Sequence, residues 1–96
     1  MVARKTVRGA HLTLTQSYLK KGALVPSHSH DGEQMIYVLQ GALRAELDGR
    51  AVMVREGELL QVPPGSVHQA EALDDTFVLD VTVSGDALDS AGERTA

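Results

Sequence analysis

Four side chains have the types and spacing to hold a metal ion: His28, His30, Gln34 and His68. His28 and His30 are separated by one residue, and strand side chains repeat every second position, so on a strand both imidazoles leave one face. Imidazole is the commonest metal ligand, and a pair carried by a rigid strand needs little ordering before it can chelate. Gln34 adds an amide oxygen, and His68, from a later strand, closes the set. The fourth histidine, His11, stands outside this group and reads as an ordinary strand residue.

The elements that must position these residues are short strands. Gly22, Gly32, Gly41, Gly49, Gly57 and Gly65 punctuate the chain at intervals of 10, 9, 8, 8 and 8 residues. Between them lie His11–Leu19, Gln34–Gln40, Leu43–Leu47, Ala51–Arg55, Leu59–Val62, Val67–Ala72 and Phe77–Val83, each with strand character. Short strands with turn signals at this spacing predict an all-β sandwich or barrel. Asp48-Gly49 is a two-residue hairpin signal, and Pro63-Pro64-Gly65 is a turn that no central strand accepts. No segment sustains a helical period.

Composition narrows the function classes. The 96 residues predict one domain, with a core over 11–83 and a small, polar, flexible tail over 84–96. Cysteine is absent, which excludes disulfides, thiolate ligands and thiol catalysis. No apolar run is long enough to span a bilayer, and the basic start, Met1–Gly9, has no apolar stretch behind it. The expected location is the cytoplasm, with no membrane contact. Residues 1–21 carry five basic residues and no acid, yet the chain's net charge is −4 and its aromatics are only Tyr18, Tyr37 and Phe77. Those features argue against nucleic acid as a partner and leave a small-molecule substrate. Arg44, Arg50 and Arg55, with acids nearby, read as a solvated strand face.

Written as spacings, the chain holds Gly22-x5-His28-x-His30-x3-Gln34-x6-Gly41 and then Gly57-x5-Pro63-x-Gly65-x2-His68. These blocks resemble the paired motifs of the cupin superfamily, over roughly residues 22–72. The resemblance implies a single-domain jelly-roll β-barrel of two antiparallel sheets with a metal inside its mouth. Gln34 stands where the family's first block ends in a metal-binding Glu, and Ala72 where the second often has Asn. The six-residue gap before Gly41 selects Gln34 as the ligand, and alternation turns Glu33 to the opposite face.

Three neutral imidazoles and a neutral amide leave the full charge of a divalent ion uncompensated, which favours Lewis-acid chemistry on an oxygen-bearing substrate. The donor set suits zinc, nickel, iron, cobalt or manganese alike. A proton carrier is also needed, and Asp80 stands out because it interrupts the apolar run Phe77–Val83. Alternation leaves two readings open. Either Phe77, Leu79, Val81 and Val83 face the core while Asp80 and Thr82 face water, or Asp80 faces the pocket.

The segment Ala70–Val81 with its three-His-one-Gln set also resembles the small pectin-degradation cupins. Those act on unsaturated uronates and promote ring opening, with an Asp at the position of Asp80. Thr82 replaces the Phe found two residues on in that group, and Ser84-Gly85-Asp86 replaces its Pro-Arg-rich segment. The expected function is a metal-dependent isomerase, cyclase or lyase. The alternatives are a dioxygenase and a non-catalytic ligand-binding or sensor cupin. Apolar residues on both faces of Met35–Leu39 and Phe77–Val83 further predict a homodimer.

Overall fold

The computed structural model describes residues 2–83. The tail expected over 84–96 lies outside the described residues. Nine strands follow in order: β1 (Val2–Arg8), β2 (Leu12–Leu19), β3 (Leu24–His28), β4 (Gln34–Gln40), β5 (Ala42–Leu47), β6 (Arg50–Arg55), β7 (Leu59–Val62), β8 (His68–Ala72) and β9 (Thr76–Val83). They form a five-stranded sheet, β1-β2-β9-β4-β7, and a four-stranded sheet, β3-β8-β5-β6. Every strand pair is antiparallel, and the all-β jelly roll expected from the sequence is the observed architecture. Among the described residues no helix is long and apolar enough to cross a membrane.

Strands β1 and β3 have no counterpart in the pattern read from the sequence. β1 places three polar residues in a row, Arg4-Lys5-Thr6, so its hydrophobic signal is weak. β3 contains Pro26, which an edge strand tolerates because its free N–H row needs no partner. It is an edge strand here, and its pairing with β8 is irregular between Val25 and His28.

Inward-facing residues of both sheets meet in one core. Leu19, Ile36, Val38, Leu60, Val62 and Val78 come from the five-stranded sheet; Leu43, Ala45, Val54 and Ala72 come from the other. Val38 and Leu43 are essentially dry, and burial of side chains of this size contributes about 1.5–3 kcal/mol each. Leu19, Ile36, Leu43, Ala45, Leu60 and Val78 of this core also form the apolar floor of a cavity between the sheets.

Two turns matter for the site. Asp48 and Gly49 both take positive φ, 49° and 83°, and join Leu47 to Arg50 as the two-residue hairpin their types predict. Asp48 then grips the approach to β8: its N–H donates to the Val67 carbonyl at 2.8 Å and its carboxylate accepts from the Val67 N–H at 3.0 Å. Gly41, where the chain crosses between sheets, is required twice over. Its φ is 93°, and a Cβ there would lie 2.5 Å from both the Asp75 carbonyl and Thr76 Oγ1.

Candidate metal centre

His28 ends β3 and lies directly opposite His68, which opens β8. The ring centroids are 4.2 Å apart. His30 follows two residues later, but β3 has ended, so strand alternation is not what holds it. Instead the Gly65 N–H, from the Pro63-Pro64-Gly65 turn, donates to the His30 carbonyl at 2.7 Å and ties the two motif blocks together. The His30 ring sits 4.8 Å from that of His28 and 5.1 Å from that of His68. Each of the three offers a ring nitrogen within 4.8 Å of the others, close to what two metal–nitrogen bonds of ~2.1 Å span.

The tautomers of two rings follow from their partners. His28 Nδ1 lies 2.8 Å from the Pro26 carbonyl and His68 Nδ1 lies 3.1 Å from the Ser66 carbonyl. A carbonyl only accepts, so each Nδ1 carries the proton and each Nε2 keeps its lone pair free for a ligand. His68 Nε2 is buried with no hydrogen-bond partner among the described residues.

Gln34 supplies a second such atom. Its Nε2 donates to Asp80 Oδ1 at 2.6 Å, and since a carboxylate can only accept, the amide orientation is determined. Gln34 Oε1 is left buried and unpartnered, in the cavity that the three histidines line. Buried polar atoms in folded proteins are ordinarily satisfied. Two orphaned acceptors beside a three-histidine cluster fit a cation, and the cluster suggests a metal ion without naming which. Glu33 is turned away, accepting from Gln61 Nε2 at 3.2 Å on the outer side.

Asp80 faces the cavity rather than bulk solvent. On β9 the inward residues are Thr76, Val78, Asp80 and Thr82; Phe77, Leu79 and Val81 occupy the opposite face, with the Phe77 ring 4.8 Å from that of Tyr18. The reading that puts Phe77 to Val83 in the core and Asp80 in water is therefore reversed. Hydrophobicity misleads here because the outer face of this sheet is apolar. Burial pushes the Asp80 carboxyl above the usual carboxylate range, opposed by the Gln34 hydrogen bond, the Arg4 guanidinium and the charges of His30 and His68. Burial likewise lowers His30, helped by His28 and His68 and opposed by Gln34 and Asp80.

The cavity measures about 590 Å³ and has a wall that the sequence pattern does not reveal. Arg4, Thr6 and Arg8 of β1, with Thr13, Thr15 and Ser17 of β2, line it. Their signal is polar alternation at every second position, which reads equally well as a solvent face. His11 is exposed and away from the cavity, and Arg44, Arg50 and Arg55 are exposed as expected, Arg44 Nη1 lying 3.8 Å from Glu46 Oε2.

Residues 16–84 match the model of the cupin domain family. This chain is a cupin. The structure of KdgF from Halomonas sp. is similar to it, with 30% identity and a TM-score of 0.81, covering 85% of this chain and 77% of that one. Salicylate 1,2-dioxygenase from Pseudaminobacter salicylatoxidans shares the fold, with a TM-score of 0.85 at 15% identity over 92% of this chain and 28% of that one. A bifunctional lysine-specific demethylase and histidyl-hydroxylase of Branchiostoma floridae is 40% identical over 60 residues. The match takes in 59% of this cupin and spans about a tenth of that enzyme's length.

Proposed function

We propose that this cupin is a metal-dependent isomerase, cyclase or lyase acting on a small oxygenated substrate. His28, His30, Gln34 and His68 hold a divalent ion, and Asp80 carries the proton. The observation that carries this reading is the Gln34–Asp80 hydrogen bond of 2.6 Å inside the cavity. It joins the fourth ligand to Asp80, the one carboxylate that lines the cavity among the described residues. When bound, the ion polarises a substrate oxygen and acidifies an adjacent C–H or O–H.

The chain's own groups divide the remaining work. Gln34 holds one oxygen of Asp80 and so leaves Oδ2 as the atom that takes and returns a proton. Burial brings the Asp80 carboxyl toward the working range of a general base. A proton removed at one substrate atom and returned at another leaves composition unchanged, as isomerisation requires. The likeness to KdgF from Halomonas sp. supports this class, as does the resemblance of Ala70–Val81 to the pectin-degradation cupins, whose substrates are unsaturated uronates. Turnover of candidate substrates with and without oxygen, paired with elemental analysis of the purified protein, tests it. Equal rates are expected, and a strict oxygen requirement would replace this reading with a dioxygenase.

A further inference from the structure

The sheet face that closes the cavity is polar where a sandwich interior is ordinarily apolar. The β1–β2 register sets Arg4 opposite Ser17, Thr6 opposite Thr15 and Arg8 opposite Thr13. Across β2–β9, Thr15 is opposite Asp80 and Thr13 is opposite Thr82. Asp80 therefore shares a rung with Thr6 and Thr15, about 10 Å from β1 across two strand spacings. Arg4 occupies the next inward-facing rung on one side and Arg8 the next on the other. All of these side chains line the cavity. The outward positions of the same strands carry Val7, Leu12 and Leu14, all exposed, so the amphipathic sense is inverted.

We propose that β1 forms the anion-recognition wall of the site. Arg4 and Arg8 hold a carboxylate or phosphate oxyanion of a small polyhydroxylated molecule, and the threonine rungs between them take its hydroxyls. The proposal rests on the reading above that the cavity is a substrate site. Guanidinium groups match oxyanions through a planar fork of donors, and hydroxyls both donate and accept, which suits a sugar-like ligand. Neither arginine is committed elsewhere: the ion pair found among the described residues is Arg44–Glu46. A substrate anion beside the Asp80 carboxylate also needs cations close by to offset repulsion. β1 precedes the segment, residues 16–84, matched by the family model.

Two pairs alike in carbon skeleton and different in charge test it on the metal-free full chain, so that no ion draws the anion: gluconate against sorbitol, and glucose 6-phosphate against glucose. Binding is followed by NMR titration at low salt. At least one anion is expected to bind tenfold or more tightly than its neutral partner, and which one does so names the oxyanion. Arg4→Gln/Arg8→Gln should abolish that preference while leaving neutral-ligand affinity, melting temperature and metal content unchanged. Equal binding of anions and neutral partners by the native protein overturns the proposal. So does a preference that survives the double substitution, as expected if the arginines only keep an edge strand from pairing. Asp80→Asn separates the two readings. Turnover that survives it removes the proposed function without touching the wall, whereas loss of the anion preference in the arginine variant alone concerns the wall.

Discussion

Gln34 and Asp80 are diagonal neighbours across β4 and β9, not directly opposed partners. Gln34 pairs with Thr82 and Ile36 pairs with Asp80 in the ladder, yet Gln34 Nε2 reaches Asp80 Oδ1 at 2.6 Å. One amide is thereby oriented by a carboxylate, and its oxygen is left to face the cavity.

Asp80→Asn should lower turnover at least 100-fold, the scale of general-base catalysis, while metal content stays at the native level. In the metal-free protein the same change should hold or raise the melting temperature, because burial disfavours the Asp80 carboxylate. The sign with pH follows. A carboxyl raised in the folded state is penalised above its folded pKa and relieved as pH falls through it toward the unfolded value near ~3.9. The melting-temperature gap between variant and native protein should narrow on acidification. A gap that widens would sink the assignment.

Gln34→Glu puts a second carboxylate against Asp80 and removes the donor at 2.6 Å. Two carboxylates in contact share a proton and raise one pKa. The metal-free variant should lose about 1–3 kcal/mol of stability, and added divalent metal should recover much of it. Thermal melts with and without metal, read beside turnover, check both halves; turnover should fall even where metal binds.

His28→Ala should remove metal from the purified protein by elemental analysis. It should also abolish the rise in melting temperature that saturating divalent metal gives the native chain, a gain of about 2.7 kcal/mol at one hundred times Kd. Retained metal would place the ion elsewhere.

Gly41→Ala should cost about 2 kcal/mol, a fall in melting temperature of roughly 10 °C for a domain of this size. The residue has φ 93° and no room for a Cβ beside Asp75 and Thr76. Both the Asp75 carbonyl and the hydroxyl of Thr76, which accepts from the Ala42 N–H at 3.2 Å, must move. Circular dichroism melts decide this.

The outer face of the five-stranded sheet carries exposed Leu14, Met35, Leu39 and Val83, an apolar surface that a two-fold partner would cover. Sedimentation should give twice the chain mass. Met35→Lys, whose neighbour on β9 is Val81, should shift it to the monomer with metal content intact.

Much of the site is local and was legible from residue order alone. Asp48-Gly49 specifies its hairpin because both positions need positive φ, and the two spaced blocks place three histidines and Gln34 at strand ends and turns. Strand alternation, however, has only two faces and does not say which one is interior. That ambiguity resolves by hydrophobicity only where the inside is apolar and the outside wet. Here β9 turns Phe77, Leu79 and Val81 outward and Asp80 inward, and β1 brings Arg4 and Arg8 to the cavity instead of leaving them on a loose basic arm. Both outcomes depend on which strands flank β2 and on the register they adopt, long-range pairings no short window encodes. Sequence determined the three spaced histidines, Gln34 and the turns that present them; tertiary pairing decided which carboxylate and which cations share their cavity.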